Sequence, residues 1–250
     1  MLSEEVKIIE HKSIPEGIRI ICGLPDVGLV GVIAAAHIIS KLNLEEVAYI
    51  ETDLLPPIIM LENGLPKSPI RIYGDGGLMV LSSEIAIPSN IINSIVKSIV
   101  EWAWRKKANE VLTLGGLPVP NRHEIEKLRI FGAASDENTL KKLTENEIEV
   151  IQRGFLVGPQ ALILKYCAEK NISAIALLAE TFYNYPDPEA SSVVIQALNR
   201  IMKINIDVSE LIEKGEEVRL AMRDMMRRTQ TELAKMRKTQ EYDVPGFYIR

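Results

Sequence analysis

Apolar residues alternate along this chain between short β-rich runs and longer stretches at helical spacing. Residues 17–22 (GIRIIC) form a β-rich run that ends at Gly23, and residues 27–42 follow with a pattern apolar nearly all round. A helix without a polar face belongs inside a protein, covered on more than one side. Residues 47–52 and 57–61 read as strands. Asn63-Gly64 is a hairpin turn signal between the second of these and a strand at 70–73. Residues 78–82 make a further strand after Asp75-Gly76-Gly77.

Pro88-Ser89-Asn90 opens a helix to about residue 107, with Ile92, Ile95, Val96, Ile99 and Trp102 on its apolar faces. A strand at 110–114 closes at Gly115-Gly116, and another spans 130–134. Asp136 caps a helix over 137–143. Pro159 sits at the first turn of a helix to 170, where its fixed φ and missing N–H are tolerated. Residues 173–179 (SAIALLA) form a continuous apolar run, as expected of a parallel strand covered on both faces. Asp187-Pro188-Glu189 opens a helix to about Met202. This order predicts a three-layer α/β/α sandwich with a mixed, largely parallel sheet and an antiparallel part near 57–82.

The pattern changes after residue 205, which separates a core domain (1–205) from a C-terminal helical segment (206–240) and a tail (241–250). Val218, Met222, Met225, Thr229, Leu233 and Met236 recur at spacings of four and three, a narrow seam that packs one helix on another. Whether that seam packs on its own domain or across an oligomer interface is open at this point. Pro245-Gly246 ends any helix, yet Phe247, Tyr248 and Ile249 follow. Aromatics on a terminal segment with nothing nearby to pack on point to a docking peptide.

Composition narrows the function. The 250 residues are 47% apolar and carry 29 basic against 34 acidic groups, a net −5. An acidic chain is a poor nucleic-acid binder, because phosphate contacts need a basic surface. No apolar run approaches the length of a membrane span, and the first residues lack the basic and apolar regions of a signal peptide, so the expectation is a cytoplasmic protein. Cys22 and Cys167 read as small buried hydrophobes, not as a disulfide or a nucleophile. His11, His37 and His123 are far apart in sequence, so neither a metal centre nor a cofactor is expected.

The candidate chemistry is thin. Gly23, Gly28 and Gly31 lie between a strand and a helix, where phosphate loops lie. No Lys-Ser/Thr follows Gly28, and Asp26 puts a carboxylate where an anion would sit. Gly115, Gly116 and Glu180 follow other strand ends, at the edge where open α/β sheets bind ligands, and Glu84 is a third carboxylate after a strand. Together these make a candidate vestigial ligand edge. They include no nucleophile–base pair, so no catalytic residue is assigned, and a small-ligand protein or enzyme at this edge is the alternative reading.

Several blocks in fixed order resemble one family. Residues 20–31 (IICGLPDVGLVG), 115–118 (GGLP), 154–158 with the helix after them, 176–181 (ALLAET) and 185–190 (YPDPEA) are similar to the proteasome assembly chaperone family, and most of all to its archaeal members. The resemblance covers about residues 15–205. It implies a fold like that of purine nucleoside phosphorylases without their catalysis, and an ATP-independent chaperone that forms homo-oligomers, trimer to pentamer, partly through C-terminal helices. Val218, Met222, Met225, Leu233 and Met236 are then the candidate interface residues. It also implies binding to α-subunits of the proteasome core particle through a terminal hydrophobic-Tyr-any-residue motif. Phe247, Tyr248 and Ile249 have that order, but Arg250 follows and displaces the terminal carboxylate by one residue.

Overall fold

Strand β2 (Arg19–Gly23) shows how the core is built. Ile21 points into one apolar layer, while Ile20 and Cys22 point into the other. Successive side chains of a strand face opposite ways, so a strand apolar at every position must be covered on both faces. The same division holds in β7 (Leu78–Ser83), β8 (Glu110–Pro118) and β11 (Ala174–Thr181). The computed structural model describes residues 6–236. The remaining strands of its main sheet are β1 (Lys7–Glu10), β3 (Glu45–Glu51), β6 (Ile70–Asp75), β9 (Ile130–Ala134) and β10 (Glu149–Val150). A separate two-stranded hairpin consists of β4 (Met60–Glu62) and β5 (Leu65–Lys67).

Among the described residues the main sheet has nine strands in the order β1-β3-β6-β7-β2-β8-β11-β9-β10. The run β7-β2-β8-β11 is parallel, as is β9-β10. The pairs β1-β3, β3-β6, β6-β7 and β9-β11 are antiparallel. Helices α1 (Val30–Lys41) and α5 (Pro188–Met202) cover one face together with α3 (Glu137–Glu145), while α2 (Ile92–Arg105) and α4 (Pro159–Glu169) cover the other. The predicted three-layer sandwich is therefore the fold. The last helices are α6 (Ser209–Glu213) and α7 (Gly215–Lys235).

Three local expectations need correction. The Asn63-Gly64 turn, with both residues at positive φ, joins β4 to β5 and not to the strand at 70–75. Strand β6 pairs with β3 and β7 instead, which leaves the hairpin outside the main sheet. Strand β8 does not close at Gly115-Gly116. It runs on to Pro118, with Gly115 paired to Leu178 and Gly116 to Ala179, because glycine suits a central strand where other groups crowd the backbone. Finally, β1 was not anticipated: it is four residues long, with Ile8 and Ile9 half-buried between exposed Lys7 and Glu10, and so lacks clean alternation.

The hairpin is anchored through its first strand by a charge cluster. Arg71 on β6 is buried, and its guanidinium donates to Glu46 (3.3 Å) and Glu62 (3.0 Å), with Glu84 at 3.5 Å. Glu84 thus belongs to this cluster and not to a pocket with Glu180. The Arg71 guanidinium also lies 5.3 Å from the ring centroid of Tyr73. Beyond this anchor, Ile59, Leu61 and Leu65 are all more than 60% exposed.

Candidate functional site

The parallel strands β7, β2, β8 and β11 all end at the same edge of the sheet, and the expected ligand residues lie there. The chain leaves β2 at Gly23 and makes a short 3₁₀ turn (Val27–Leu29) before α1. Gly28 in that turn has φ of +63°, a conformation open chiefly to glycine. A Cβ at Gly28 would overlap Thr181 on β11, and one at Gly116 would overlap the same side chain. A Cβ at Gly31 would overlap the Leu114 carbonyl. The glycines therefore let α1 and its turn press directly onto β8 and β11. The volume that a phosphate would need next to a glycine loop is occupied by Thr181 and strand backbone.

The polar residues at this edge are turned inward. Asp26 is fully buried, its backbone carbonyl accepts from the Leu29 N–H (3.0 Å), and its side chain makes no capping hydrogen bond to the turn. Its Oδ2 lies 3.2 Å from the position a Cβ on Gly115 would take, beside the buried Gln160 of α4. Gln160 Nε2 donates to the Leu114 carbonyl (3.3 Å). Glu180 is buried, and it accepts from the Arg129 backbone N–H (2.9 Å) and guanidinium (3.0 Å), tying β11 to the start of β9. Asp26, Gln160 and Gly115 come together, whereas Glu180 faces Arg129 and stays apart from them.

Sequence reading missed the strongest polar unit. Arg122, in the loop after β8, donates through Nε to Asp187 Oδ2 (2.9 Å), and through Nη2 to Asp187 Oδ1 (3.2 Å) and Glu189 (2.7 Å). Both Arg122 and Asp187 are buried. Asp187 also accepts from Thr181 Oγ1 (3.1 Å), and it caps α5 by accepting from the Ala190 N–H (3.1 Å). Its own N–H donates to the Gly28 carbonyl (2.8 Å). Burial works against the Arg122 charge, but its hydrogen bonds to Glu189 and Asp187 outweigh it and hold the guanidinium above its ordinary value. The Phe182 ring lies 4.9 Å from the same guanidinium. Asp187 was legible as a helix opener; nothing in the sequence marks Arg122 as its partner.

Helix α7 lies over this edge. It packs on the turn after β2. Its Gln230 Nε2 donates to the Asn184 carbonyl (2.8 Å) in the loop after β11. Its Glu232 accepts from the Ser89 backbone N–H (2.7 Å) in the loop after β7. Met226, Thr229 and Leu233 are buried by the chain's own residues. Val218, Met222 and Met225 are half-buried against the α1/α5 layer, while Met236 packs against the α2/α4 layer. The helix thus crosses from one layer to the other. Met226 was not part of the expected seam, since the surface it meets is the sheet edge and not a straight partner helix. Phe247, Tyr248, Ile249 and Arg250 lie outside the described residues, as do residues 237–250 generally.

Neither cysteine serves this edge. Cys22 is buried in β2 and Cys167 in α4, and burial pushes both thiols up, Cys167 to about 12. His37 Nε2 meets the Asp207 carbonyl (2.7 Å) as a satisfied, half-buried side chain. Among the described residues, no three His, Cys, Asp or Glu side chains are grouped so as to hold a metal ion, and no helix is long and apolar enough to cross a membrane.

The geometry defines a three-layer α/β/α protein whose sheet carboxyl edge is packed with its own side chains and bridged by its last helix. Residues 20–226 match the model of the PAC2 family, and the chain belongs to that family. A Methanocaldococcus jannaschii protein without an assigned function is 30% identical over 236 residues, covering 94% of this chain and 97% of the relative. The fold is similar to that of Pyrococcus furiosus PbaA, an archaeal homolog of proteasome-assembly chaperone (TM-score 0.85, 26% identity, 90% of this chain and 98% of that one). Pyrococcus furiosus PbaB, an archaeal proteasome activator, has the same fold (TM-score 0.75, 23% identity, 88% of this chain and 98% of that one).

Proposed function

We propose that this protein is an ATP-independent, proteasome-assembly-chaperone-like factor that forms homo-oligomers and binds proteasome subunits or the core particle. The observation that carries this is the match of nearly the whole chain to PbaA within a shared family. The packed carboxyl edge supports it, since the place where such sheets take small ligands is occupied by Thr181, Gln160 and α7. In this reading Phe247 and Tyr248 anchor the tail between α-subunits of the core particle, as aromatic residues do in interface hot spots. Docking of the tail then requires that Arg250 be trimmed or that the motif shift by one residue.

The test is a pull-down with core particle, using the full chain and a chain ending at Gly246. Binding by the full chain alone is the expected result. Equal binding by both removes the tail from the account, and binding by neither removes the proteasome.

A further inference from the structure

The β4–β5 hairpin turns on Asn63-Gly64, and Asn63 is the one asparagine of the chain that precedes a glycine. Both residues are exposed and have positive φ, and a Cβ on Gly64 would meet nothing within 4 Å. The glycine matters chemically as well as sterically. The main-chain nitrogen after an asparagine can attack that asparagine's own side-chain carbonyl carbon, and a side chain on the following residue is what hinders the approach. In a two-residue turn the closing hydrogen bond belongs to the flanking pair, here Glu62 and Leu65, so it does not engage the Gly64 N–H.

Ring closure also requires the turn to open for a moment. The hairpin pairs with no strand of the main sheet, and two strands alone are marginal in water. Its polar ties to the body are side-chain contacts: Arg71 donates to Glu62 (3.0 Å) and meets Met60 Sδ (3.3 Å), and Lys67 donates to Glu46 (3.3 Å). Local opening of so small a unit costs little. Asp75-Gly76 is the contrast. It is equally exposed, and Gly76 has φ of +63° with open space around it. Its flanking strands β6 and β7, however, are held by β3 and β2 within the main sheet, and a carboxylate is a poorer electrophile than an amide. Asn109, Asn146 and Asn199 donate their side-chain amides to backbone carbonyls (2.6, 2.7 and 2.9 Å), and each precedes a charged residue.

We infer that Asn63 is a site of spontaneous deamidation, and that its isoaspartate product releases the β4–β5 hairpin from Arg71. The Gly64 nitrogen gives its proton to solvent base and bonds to Asn63 Cγ, the Cγ–amide bond breaks, and ammonia leaves a cyclic imide. Water then opens the imide at either carbonyl, giving aspartate or isoaspartate. Nothing is oxidised or reduced, and water is the only co-reactant. Isoaspartate routes the main chain through the former side chain and so lengthens it by a methylene. A two-residue turn cannot absorb that, and the register Met60↔Lys67, Leu61↔Pro66 and Glu62↔Leu65 is lost. Glu62 is then no longer presented to Arg71, and the hairpin comes free while the main sheet stays whole.

The test incubates the full chain in mildly alkaline buffer and follows the peptide that contains residues 60–67 by mass spectrometry, with an isoaspartyl methyltransferase to label isoaspartate. A synthetic peptide of residues 58–69 is the reference. Asn63 is expected to convert at a rate within about tenfold of the reference, the protection that a marginal hairpin gives, while Asp75 and the other asparagines stay unchanged. A slower conversion overturns the site. Asn63→Gln, which must close a larger ring, is expected to abolish the conversion with an unchanged circular dichroism spectrum. Glu62→Gln is expected to speed the conversion, and an unchanged rate there overturns the part given to the Arg71 tie. Hydrogen exchange on the purified isoaspartyl form reads the release. Faster exchange over residues 60–67, with the main sheet unchanged and with no such change in Asn63→Asp, is expected. Unchanged exchange over 60–67 overturns the release of the hairpin.

Discussion

Glu232, three residues before the end of α7 at Lys235, accepts a hydrogen bond from the Ser89 backbone N–H, 143 residues away in the chain. It holds the end of α7 against the loop that leads into α2, while the middle of the helix rests on the turn after β2. Partial burial would raise the Glu232 carboxyl, but Lys235 and the Ser89 N–H outweigh it and keep the group below the ordinary carboxylate range.

This bridge gives a graded expectation. Leu233→Ala removes a fully buried side chain and should cost about 2–5 kcal/mol of folding stability. Glu232→Ala removes one charge-assisted bond at a half-buried site and should cost about 1–2 kcal/mol. Urea unfolding measures both; a Leu233→Ala loss no larger than that of Glu232→Ala would show that α7 is not packed as described.

The Arg122–Asp187 pair should be the most sensitive polar contact. Asp187→Ala strands a buried guanidinium and removes the cap of α5, so a loss of about 3–5 kcal/mol is expected. Replacing both residues by apolar ones should cost less than the single change, because no charge is then left uncompensated. Denaturant midpoints of the two single variants and the double variant form the cycle that checks this.

Gly28→Ala combines a positive φ with an overlap on Thr181. The backbone conformation alone costs about 1–3 kcal/mol for a residue with a side chain. The displaced Thr181 also loses its bond to Asp187, so a loss above that range is expected in thermal melts.

Asp136 caps α3 and accepts from the Thr139 N–H (2.9 Å). Burial would raise its carboxyl, yet hydrogen bonds from Thr139, Ser135 and Ser173 outweigh this and hold it below the ordinary value. A lowered folded-state pKa adds stability that is fully present above the unfolded value, about 3.9, and is lost as pH falls through the folded value. Glu232 acts in the same direction. Stability should therefore fall as pH drops below about 4, and Asp136→Asn should make that fall shallower. Melting temperatures between pH 6 and pH 2.5 test the sign.

The two thiols offer a check on burial. With Cys167 raised to about 12 and Cys22 pushed up as well, neither forms thiolate near neutral pH. A thiol reagent at pH 8 should label neither cysteine in the folded protein and both in urea.

The sequence revealed the central elements because their signals are local. The run at 173–179 had to be a covered strand, and Asp187-Pro188 had to open a helix, since burial and capping act within a few residues. Asp136 capped its helix as expected. What could not be seen depended on distant partners. Gly115 and Gly116 resemble a strand end until Gln160 and Thr181 are known to press against them. Arg122 lies in an ordinary loop, 65 residues before the carboxylate it serves. The seam from Val218 to Met236 was visible, but its periodicity does not say that the surface beneath it is a sheet edge.

The order of strands also dictates an order of folding. Strand β2 (residues 19–23) lies between β7 and β8, which follow it by about 60 and about 90 residues. Parallel neighbours so far apart must close long loops before they gain contacts, and such topologies fold slowly. During synthesis β7 emerges first, so one side of β2 can pair while the other waits for β8. Until then a central strand of the sheet, apolar on both faces, has an open flank, and the nascent chain is briefly open to misassembly.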